Sequence, residues 1–409
     1  MKIRGKIANI PVGDDSRVVI VGVINVSPES FYKGSIVKSE KDLREKATKM
    51  IEEGVDIIDV GAMSTAPGVP QIPLSEERER MVFAIRVLRE TVDIPISADT
   101  FRAKVAEAAL KEGAVIINDV SGLKADERMA RIISEYNAST IVMAAEKKPG
   151  DVGSISKIRS ALRKSLQIAV NAGISHESII IDPGIGFGKS VSEDLYILRN
   201  LSRLRFLCKP ILVGVSRKSF IGKVLNLKDP DERLIGSLAA TAIAVYNGAH
   251  LIRTHDVKET LQVVKIAEAI RRKILSLSEQ EIKVTLLYNS SYFNDLHDLF
   301  VKINVDKRAW TTLNQKSIFL ATLVENVSTP AALIIKQEML ACGGDAAIPR
   351  EMIDFHIKEG SIIIFGTYAQ YKRLLKKLEK MPFDLNIIAK LLKQILEVCG
   401  EDGYETYTN

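Results

Sequence analysis

The stretch Ile179-Ile-Ile-Asp182-Pro-Gly-Ile-Gly-Phe-Gly-Lys189 decides how this sequence is interpreted. Its three β-branched residues predict a short buried strand that ends on the carboxylate of Asp182. The glycines that follow let a flat ligand or an anion approach the backbone closely, and a helix is expected to begin near Ser192. Asp182 would then stand at the carboxyl end of a parallel strand, although a plain turn with a satisfied aspartate has the same local pattern.

The same alternation of strand and helix recurs from residue 18 to residue 273. Apolar runs predict eight strands, at Val18–Asn25, Ile57–Val60, Ile96–Asp99, Ile116–Asp119, Thr140–Met143, Ile179–Asp182, Ile211–Gly214 and Leu251–Thr254. Helical patterns follow them near 39–53, 74–90, 102–111, 127–136, 155–172, 192–201, 233–248 and 257–273. Eight βα units in about 250 residues favour a (β/α)8 TIM barrel over the alternative, a doubly wound open sheet.

Length and patterning predict an α/β protein of two domains. The barrel would span 1–273 and begin with a β-hairpin at 1–17, with its turn at 11–15 and a place at the barrel's base. A linker near 276–280 would lead to a second, smaller α/β C-terminal domain, 274–409, of unknown role. Its predicted elements are strands at Lys283–Tyr288 and Ser361–Phe365 and helices at Pro330–Leu340, Tyr368–Lys380 and Leu385–Val398. Lys336, Glu338, Asp345 and Arg350 could form a ligand site there, although a solvated surface is the favoured interpretation.

Composition narrows the classes of function. The 409 residues carry a formal net charge of +6 and no block of Lys and Arg, which argues against nucleic acid as a partner. The absence of an 18-residue apolar run argues against a membrane span, and the first residues lack a signal-peptide pattern. Three scattered cysteines without a CxxC pair are typical of a reducing compartment, so a cytoplasmic location is expected.

Polar side chains crowd the predicted carboxyl ends of the strands, which a barrel brings to one face. Asp99, Asn118, Asp182 and Lys218 offer two carboxylates, an amide and an ammonium. Such a set could hold a heterocycle whose N–H donors lie beside a carbonyl, although each residue alone could merely cap a helix.

A second group of residues suits an anion. Arg253 could hold a departing phosphate group and His255 could donate to it, although a core histidine is the alternative. Asn25 could ligate Mg²⁺ held mainly by phosphate oxygens. No HExxH motif or Cys/His cluster exists, which argues against a dedicated transition-metal site.

Seven segments in order resemble dihydropteroate synthase, of the pterin-binding barrel family. They are Gly22-Val-Ile-Asn-Val-Ser-Pro-Glu-Ser-Phe31; Ile57-Ile-Asp-Val-Gly61 with Ser64-Thr-Ala-Pro-Gly68; Ile96-Ser-Ala-Asp-Thr100; Ile116-Ile-Asn-Asp-Val-Ser-Gly122; Asp182-Pro-Gly-Ile-Gly-Phe-Gly-Lys189; Gly214-Val-Ser-Arg-Lys-Ser-Phe-Ile-Gly222; and Arg253-Thr-His-Asp256. The C-terminal region resembles an accessory domain fused to some longer members.

The resemblance implies a transferase that joins 6-hydroxymethyl-7,8-dihydropterin diphosphate to the arylamine p-aminobenzoate and releases diphosphate. The resemblance implies that the pterin is bound by Asp99, Asn118, Asp182 and Lys218. It implies that the diphosphate is bound by Asn25, Arg253 and His255, with Mg²⁺ on Asn25. The arylamine would lie near Ser64, Thr65, Arg217 and Ser219. The catalytic residues would be Asp99, Asp182, Lys218, Arg253 and His255. It also implies a homodimer, and loops 27–37 and 62–72 that close over the substrates.

Departures from the family pattern concern the arylamine. Met63 replaces a glutamate, Ala66 replaces an arginine, and Ala144 stands where the family often has histidine. We therefore expect an altered arylamine, for example the ribosyl-phosphate aniline of methanopterin biosynthesis. Two alternatives are a pterin-dependent methyltransferase acting on a corrinoid protein and a pterin-binding protein without activity; cations beside the last two strands argue against the methyltransferase.

Overall fold

The computed structural model describes residues 3–27, 39–64, 69–271, 275–290 and 296–399. The chain divides into two units, Lys2–Arg272 and Lys273–Asn409. Within the described ranges, every helix falls short of the length and apolarity that crossing a membrane requires.

Eight parallel strands of the first unit form a barrel. The strands of this unit are β1 (Arg4–Ile7), β2 (Ile10–Gly13), β3 (Val19–Asn25), β4 (Ile57–Gly61), β5 (Ile96–Asp99), β6 (Ile116–Asp119), β7 (Ser139–Met143), β8 (Ile179–Asp182), β9 (Leu212–Val213) and β10 (Leu251–Thr254). The sheet order is β8-β7-β6-β5-β4-β3-β10-β9, and a parallel bridge between Ile181 and Ile211 closes the circle. The predicted TIM barrel is confirmed, and the open sheet is excluded.

Helices follow the strands and pack outside them. They are α1 (Glu40–Glu52), α2 (Leu74–Arg89), α3 (Ala103–Glu112), α4 (Met129–Glu135), α5 (Ile155–Asn171), α6 (Val191–Arg199), α7 (Ser219–Leu225), α8 (Leu234–Tyr246) and α9 (Val257–Ile270). Ser190 begins α6 with a capping box, because its hydroxyl accepts from the amide of Glu193 while that side chain accepts from the amide of Ser190. Helix α7 was not predicted.

The N-terminal hairpin lies at the amino ends of the barrel strands. Ile7 and Val12 share one buried cluster with inward-facing residues of the barrel strands. The amide of Ala8 donates to Oγ of Ser139, the first residue of β7, at 2.8 Å. The hairpin therefore fills the base of the barrel, and only its predicted turn was wrong. The turn is at 8–9, with Ala8 in the left-handed region, while Pro11 lies inside β2.

The second unit is built on a five-stranded antiparallel sheet of order β11-β12-β13-β15-β14. Its elements are β11 (Ser276–Glu279), β12 (Ile282–Asn289), α10 (His297–Lys302), α11 (Trp310–Ser317), β13 (Phe319–Ser328), α12 (Thr329–Ala341), β14 (Asp345–Ala347), α13 (Arg350–Ile353), β15 (Glu359–Thr367), α14 (Tyr368–Leu378) and α15 (Leu385–Cys399). Helices pack on the sheet, and the hydroxyls of Thr322 on β13 and Tyr371 on α14 are 2.9 Å apart in this core.

Two predictions for this unit were wrong. The expected linker is strand β11, which pairs with β12 from Ser276 opposite Thr285 to Glu279 opposite Ile282. The central strand β13 was not predicted, because its buried apolar run lacks the alternation of a half-exposed strand.

Candidate active site

The period of the strands directs polar groups into the upper interior of the barrel. Polar residues lie two positions after inward-facing apolar residues on four strands: Asp59 after Ile57, Asn118 after Ile116, Asp182 after Ile180 and Arg253 after Leu251. Since alternate strand residues face the same side, these four side chains share the interior at its carboxyl end.

A network of hydrogen bonds between polar and charged side chains connects the four strands β4, β5, β6 and β10 there. Arg253 donates through Nε to Asp59 Oδ2 at 2.6 Å and through Nη2 to Asp99 Oδ2 at 2.9 Å. Asn118 Nδ2 also donates to Asp59 Oδ2, at 3.1 Å. One guanidinium thus faces two buried acidic side chains.

Each of the two carboxylates keeps one oxygen without a partner. Asp59 Oδ1 and Asp99 Oδ1 are buried and accept no hydrogen bond from the described residues. Burial raises the pKa of Asp99; the charge of Arg253 opposes this rise, and the charge of Asp59 adds to it. A buried acceptor without a donor is costly, so the pair is suited to a ligand that supplies N–H groups.

Asp182 and Lys218 form the second part of the site. Asp182 Oδ1 accepts from the amide of Gly184 at 2.7 Å, while Lys218 Nζ donates to the carbonyl of Ile185 and lies 4.3 Å from the centroid of the Phe187 ring. Burial raises the pKa of Asp182, and Lys218 opposes the rise. Burial lowers the pKa of Lys218 to about 8, and Asp182 opposes this shift.

The glycine loop after β8 needs the conformational freedom that its sequence provides. Gly184, Gly186 and Gly188 all have positive φ, at 70°, 76° and 67°. A Cβ on Gly186 would lie 2.3 Å from Cδ of Lys218. The loop therefore packs against the Lys218 side chain in a way that a larger residue would prevent.

His255 is neutral in this environment. Burial lowers its pKa well below the usual value, and the charges of Arg253 and other nearby cations add to the effect. Ser216 Oγ accepts from the amide of His255 at 3.2 Å and lies 3.0 Å from its Nδ1. This arrangement favours a proton on Nε2, so His255 is a neutral donor rather than the cation that a titratable histidine suggested.

A cavity of about 560 Å³ opens at this end of the barrel. Its wall includes these predicted site residues: Asn25, Ser64, Asp99, Lys218, Ser219, Arg253 and His255. Asn118 and Asp182 are absent from the lining residues. Asn118 donates to Asp59, and Asp182 is close enough to Lys218 for the charge of that lysine to oppose the rise of its pKa. Thr65 and Ala66 lie outside the described residues.

Arg217 has a different place from the one expected beside an arylamine. It is absent from the residues that line the cavity, and its guanidinium donates to both oxygens of Asp256, at 2.9 and 2.7 Å, and to the carbonyls of Pro230 and Asp231, at 3.0 and 2.9 Å. The structure thus gives Arg217 a structural role behind the cavity wall.

Sequence reasoning missed several residues of the site. Asp59 was noted at a strand end but received no role, although it bonds both Arg253 and Asn118. Lys189, Lys223 and Arg233 line the cavity without having been singled out. The strand period could have selected Asp59; no local signal marks the other three.

Metal-binding groups are sparse in the part of the chain that the structure describes. It contains no cluster of three or more His, Cys, Asp or Glu that could hold a metal ion. Asn25 on the cavity wall offers an amide oxygen, whose Oδ1 would lie 2.8 Å from a Cβ on Gly61. A metal at this point would need most of its ligands from a substrate and water.

Comparisons with known proteins agree with this geometry. The profile of the family described as pterin binding enzyme matches residues 21–255. The dihydropteroate synthase of Clostridium beijerinckii is 39% identical over 274 residues, which cover 67% of this chain and 100% of that relative. That of Synechocystis is 38% identical over 277 residues, covering 64% of this chain and 95% of the relative.

Solved structures give the same result. The dihydropteroate synthase of Clostridium difficile, solved with pteroic acid, is 39% identical with a TM-score of 0.58, covering 63% of this chain and 98% of that one. That of Thermus thermophilus, solved with 4-aminobenzoate, is 33% identical with a TM-score of 0.56, covering 66% and 100%.

Proposed function

Because this chain belongs to the dihydropteroate synthases of the pterin binding enzyme family, we propose that it condenses 6-hydroxymethyl-7,8-dihydropterin diphosphate with an arylamine and releases diphosphate. The chain is a transferase of this type. The proposal concerns which groups hold each substrate and which arylamine is used.

The two unpartnered carboxylate oxygens carry the pterin assignment. A pterin ring presents N–H donors beside a carbonyl, and Asp99 Oδ1 on the cavity wall has no donor among the described residues. Asn118 would complete the donor and acceptor pattern, while Lys218 would donate to the carbonyl or a ring nitrogen. Asp182 would hold the ring from the side of the glycine loop.

The diphosphate would lie on the side of Arg253, His255 and Asn25, which line the same cavity. Arg253 would contribute fixed charge, and His255 a neutral N–H. Mg²⁺ fits this side in a limited sense, because Asn25 supplies one oxygen and phosphate oxygens and water normally supply the rest. When bound, the ion would neutralise charge on the leaving diphosphate.

The reaction would begin with loosening of the exocyclic C–O bond, since the electron-rich pterin can delocalise the resulting cation. Arg253 and His255 would stabilise negative charge on the departing oxygens. The carboxylates of Asp99 and Asp182 would stabilise positive charge on the ring. The neutral amine nitrogen then attacks the exocyclic carbon and gives up a proton to the released diphosphate or to water, so no covalent protein nucleophile is required.

The identity of the arylamine depends on residues that differ from the family pattern. Met63 is buried and lines the cavity where the family usually has glutamate, and Ala66 removes a cationic side chain. We propose that an arylamine other than p-aminobenzoate is preferred, with the ribosyl-phosphate aniline of methanopterin biosynthesis as the candidate. Equal or better kcat/KM with p-aminobenzoate would reject this preference.

One assay separates the candidate functions. Mixing the full chain with pterin diphosphate, Mg²⁺ and each arylamine should release diphosphate at the rate at which the pterin–amine product forms. A methyltransferase would release none and would instead demethylate a methylated reduced pterin in the presence of a corrinoid protein. Pterin binding without turnover on either amine would indicate a silent binder.

A homodimer is proposed from the outer surface of the barrel. Helix α8 is apolar on nearly every side, and Ile235, 80% exposed, lies on its outer face with Ile243 and Tyr246. Ile266 and Ile270 are exposed on the adjacent helix α9. A monomer rarely leaves such a surface uncovered, so a second copy is the expected occupant. Ile235→Glu should convert the dimer to a monomer in light scattering; a wild-type monomer would reject the proposal.

A further inference from the structure

The cationic side chains of the cavity wall differ in how they are bonded. Lys189 Nζ donates to the carbonyl of Gly184 at 2.5 Å, and Lys218 Nζ to that of Ile185. Arg253 is held by its two carboxylates. Three of these cations therefore already have protein acceptors.

Arg233 is committed in the same way. Its guanidinium donates to the carbonyls of Arg217, Leu227 and Lys228, at 3.1, 3.3 and 2.5 Å, and the residue is 9% exposed. It fixes the end of helix α7 and the segment after it. Arg233 is therefore part of the frame of the wall and is not available to a ligand's anionic group.

Lys223 differs from the other four. Its side chain lines the cavity and is exposed, and it has no hydrogen bond or ion pair with any residue that the structure describes. It lies on α7 four residues after Ser219, so both side chains are on one face of the helix, and both line the cavity. The face runs from Lys218, at the N-cap of α7, past Ser219 to Lys223.

The rest of this wall suits an aromatic ring. Phe187 and Pro230 also line the cavity, and the Phe187 ring already contacts Lys218 Nζ. A ring lying along this wall with its amine near Lys218 would direct a para substituent towards Lys223. Lys223 has no acceptor among the described residues and is not assigned to the pterin or the diphosphate, so an anionic substituent would find a partner there.

We propose that Lys223 is a specificity-determining residue that pairs with an anionic group at the far end of the arylamine. The inference rests on the proposed function, since it assigns one end of the same substrate. It selects acidic arylamines over neutral ones of the same size. Ala66, which leaves no cation at the position where the family has arginine, makes Lys223 the available replacement.

The test compares an acid with its uncharged analogue. For Lys223→Ala, KM for p-aminobenzoate should rise about three- to tenfold, as expected for a partly exposed ion pair, while kcat changes less than about twofold. KM for p-aminobenzamide should stay within about twofold of wild type. Lys223→Arg should retain the wild-type KM, and added salt should narrow the wild-type preference for the acid.

The matched control is Lys258→Ala, which removes an exposed lysine of α9 that does not line the cavity. It should leave both KM values unchanged. An equal rise for acid and amide in Lys223→Ala, or no rise, would overturn the inference while wild-type turnover preserved the proposed function. If wild type releases no diphosphate, the function fails. Calorimetric binding of p-aminobenzoate to enzyme saturated with pterin diphosphate then tests Lys223 independently, because the variant should bind it more weakly.

Discussion

At the amino end of the barrel, the carboxylate of Asp14 has partners on both oxygens, whereas at the carboxyl end Asp59 and Asp99 each keep one oxygen without a hydrogen bond. Asp14 accepts from Arg205 at 2.8 and 2.7 Å and from the amide of Ile3 at 2.6 Å, and His250 Nε2 lies 3.3 Å away. At the amino end, the buried carboxylate therefore joins chain segments to one another. At the carboxyl end, which forms the mouth of the barrel, two carboxylate oxygens remain as acceptors for a ligand. Groups that stabilise the fold and groups that could bind a ligand thus lie at opposite ends of the barrel axis.

The largest effect is expected at the mouth. Asp99→Asn should lower kcat/KM about 100-fold or more, because it removes a charge that stabilises the reacting pterin. The free energy of unfolding should change by less than about 1 kcal/mol, because Arg253 keeps Asp59 as a buried charged partner. Steady-state kinetics and urea unfolding measure the two quantities. A variant that unfolds easily but keeps its activity would reverse the comparison.

The base should give the opposite result. Asp14→Asn should lower the free energy of unfolding by about 2–4 kcal/mol, because Arg205 loses a buried charged partner. The values of kcat and KM for the folded enzyme should match wild type. Asp15→Asn is the control, since its ion pair with Arg4 is exposed and a loss below about 0.5 kcal/mol is expected. Equal losses in the two variants would mean that the buried Asp14 network stabilises the fold no more than the exposed ion pair of Asp15 does.

The contributions of Asp14 and Asp99, at the two ends of the barrel, to the free energy of unfolding should change with pH in opposite directions. Although burial opposes it, hydrogen bonds from His250 and Arg205 hold the pKa of Asp14 well below its usual range. Its contribution is therefore present above about pH 4 and is lost as pH falls through the folded pKa. Burial raises the pKa of Asp99, so its folded form holds a proton that the unfolded chain releases above about pH 4, and stability falls as pH rises from there.

Unfolding from about pH 3 to about pH 8 in wild type and both variants gives the measurement. The deficit of Asp14→Asn should shrink at the acid end, and Asp99→Asn should gain on wild type as pH rises. Parallel curves for all three proteins would contradict both signs.

The smallest effects are expected in the second unit. Lys336, Glu338, Asp345 and Arg350 are the four residues that could have formed a ligand site. They form three separate ion pairs: Lys336 with Asp345 at 3.0 Å, Glu338 with Lys377 at 2.5 Å and Arg350 with Asp354 at 3.2 Å. Arg350→Ala should cost less than about 0.5 kcal/mol and leave turnover unchanged, because its side chain is 89% exposed. A clear loss of turnover would assign this surface a function.

The fold was predictable where one rule acts repeatedly. Most barrel strands combine a short apolar run with a polar residue near the carboxyl end, as β6 and β8 do, so their positions follow from the local pattern. Strand β13 was missed because its run of apolar residues lacks a regular alternation, and β11 was mistaken for a linker because of its serines. The hairpin turn failed because Ala8 adopts positive φ, which alanine seldom does.

The site was predictable only as a set of residues. The stretch around Asp182 indicated which side chains share one end of the barrel, because parallel strands bring their carboxyl ends together. Which of them bond was hidden, since Arg253 meets Asp59 across 194 positions of sequence. The same holds for Arg217: only the folded chain shows that Asp256 engages it.

Strand β9 has only two residues. In the continuously described range 69–271, the segment that leads into β9 is joined to β8 by the bridge between Ile181 and Ile211. The amide of Ile181 also donates to the carbonyl of Pro210 at 3.0 Å. This junction is the thinnest seam of the wall. The glycine loop follows β8 and Lys218 follows β9, so a ligand bound to both would strengthen the junction between these two strands. Bound substrate would then slow hydrogen exchange of the amides around 211–213 more than elsewhere in the barrel. Substrate binding would in this way stabilise the closed barrel against local opening.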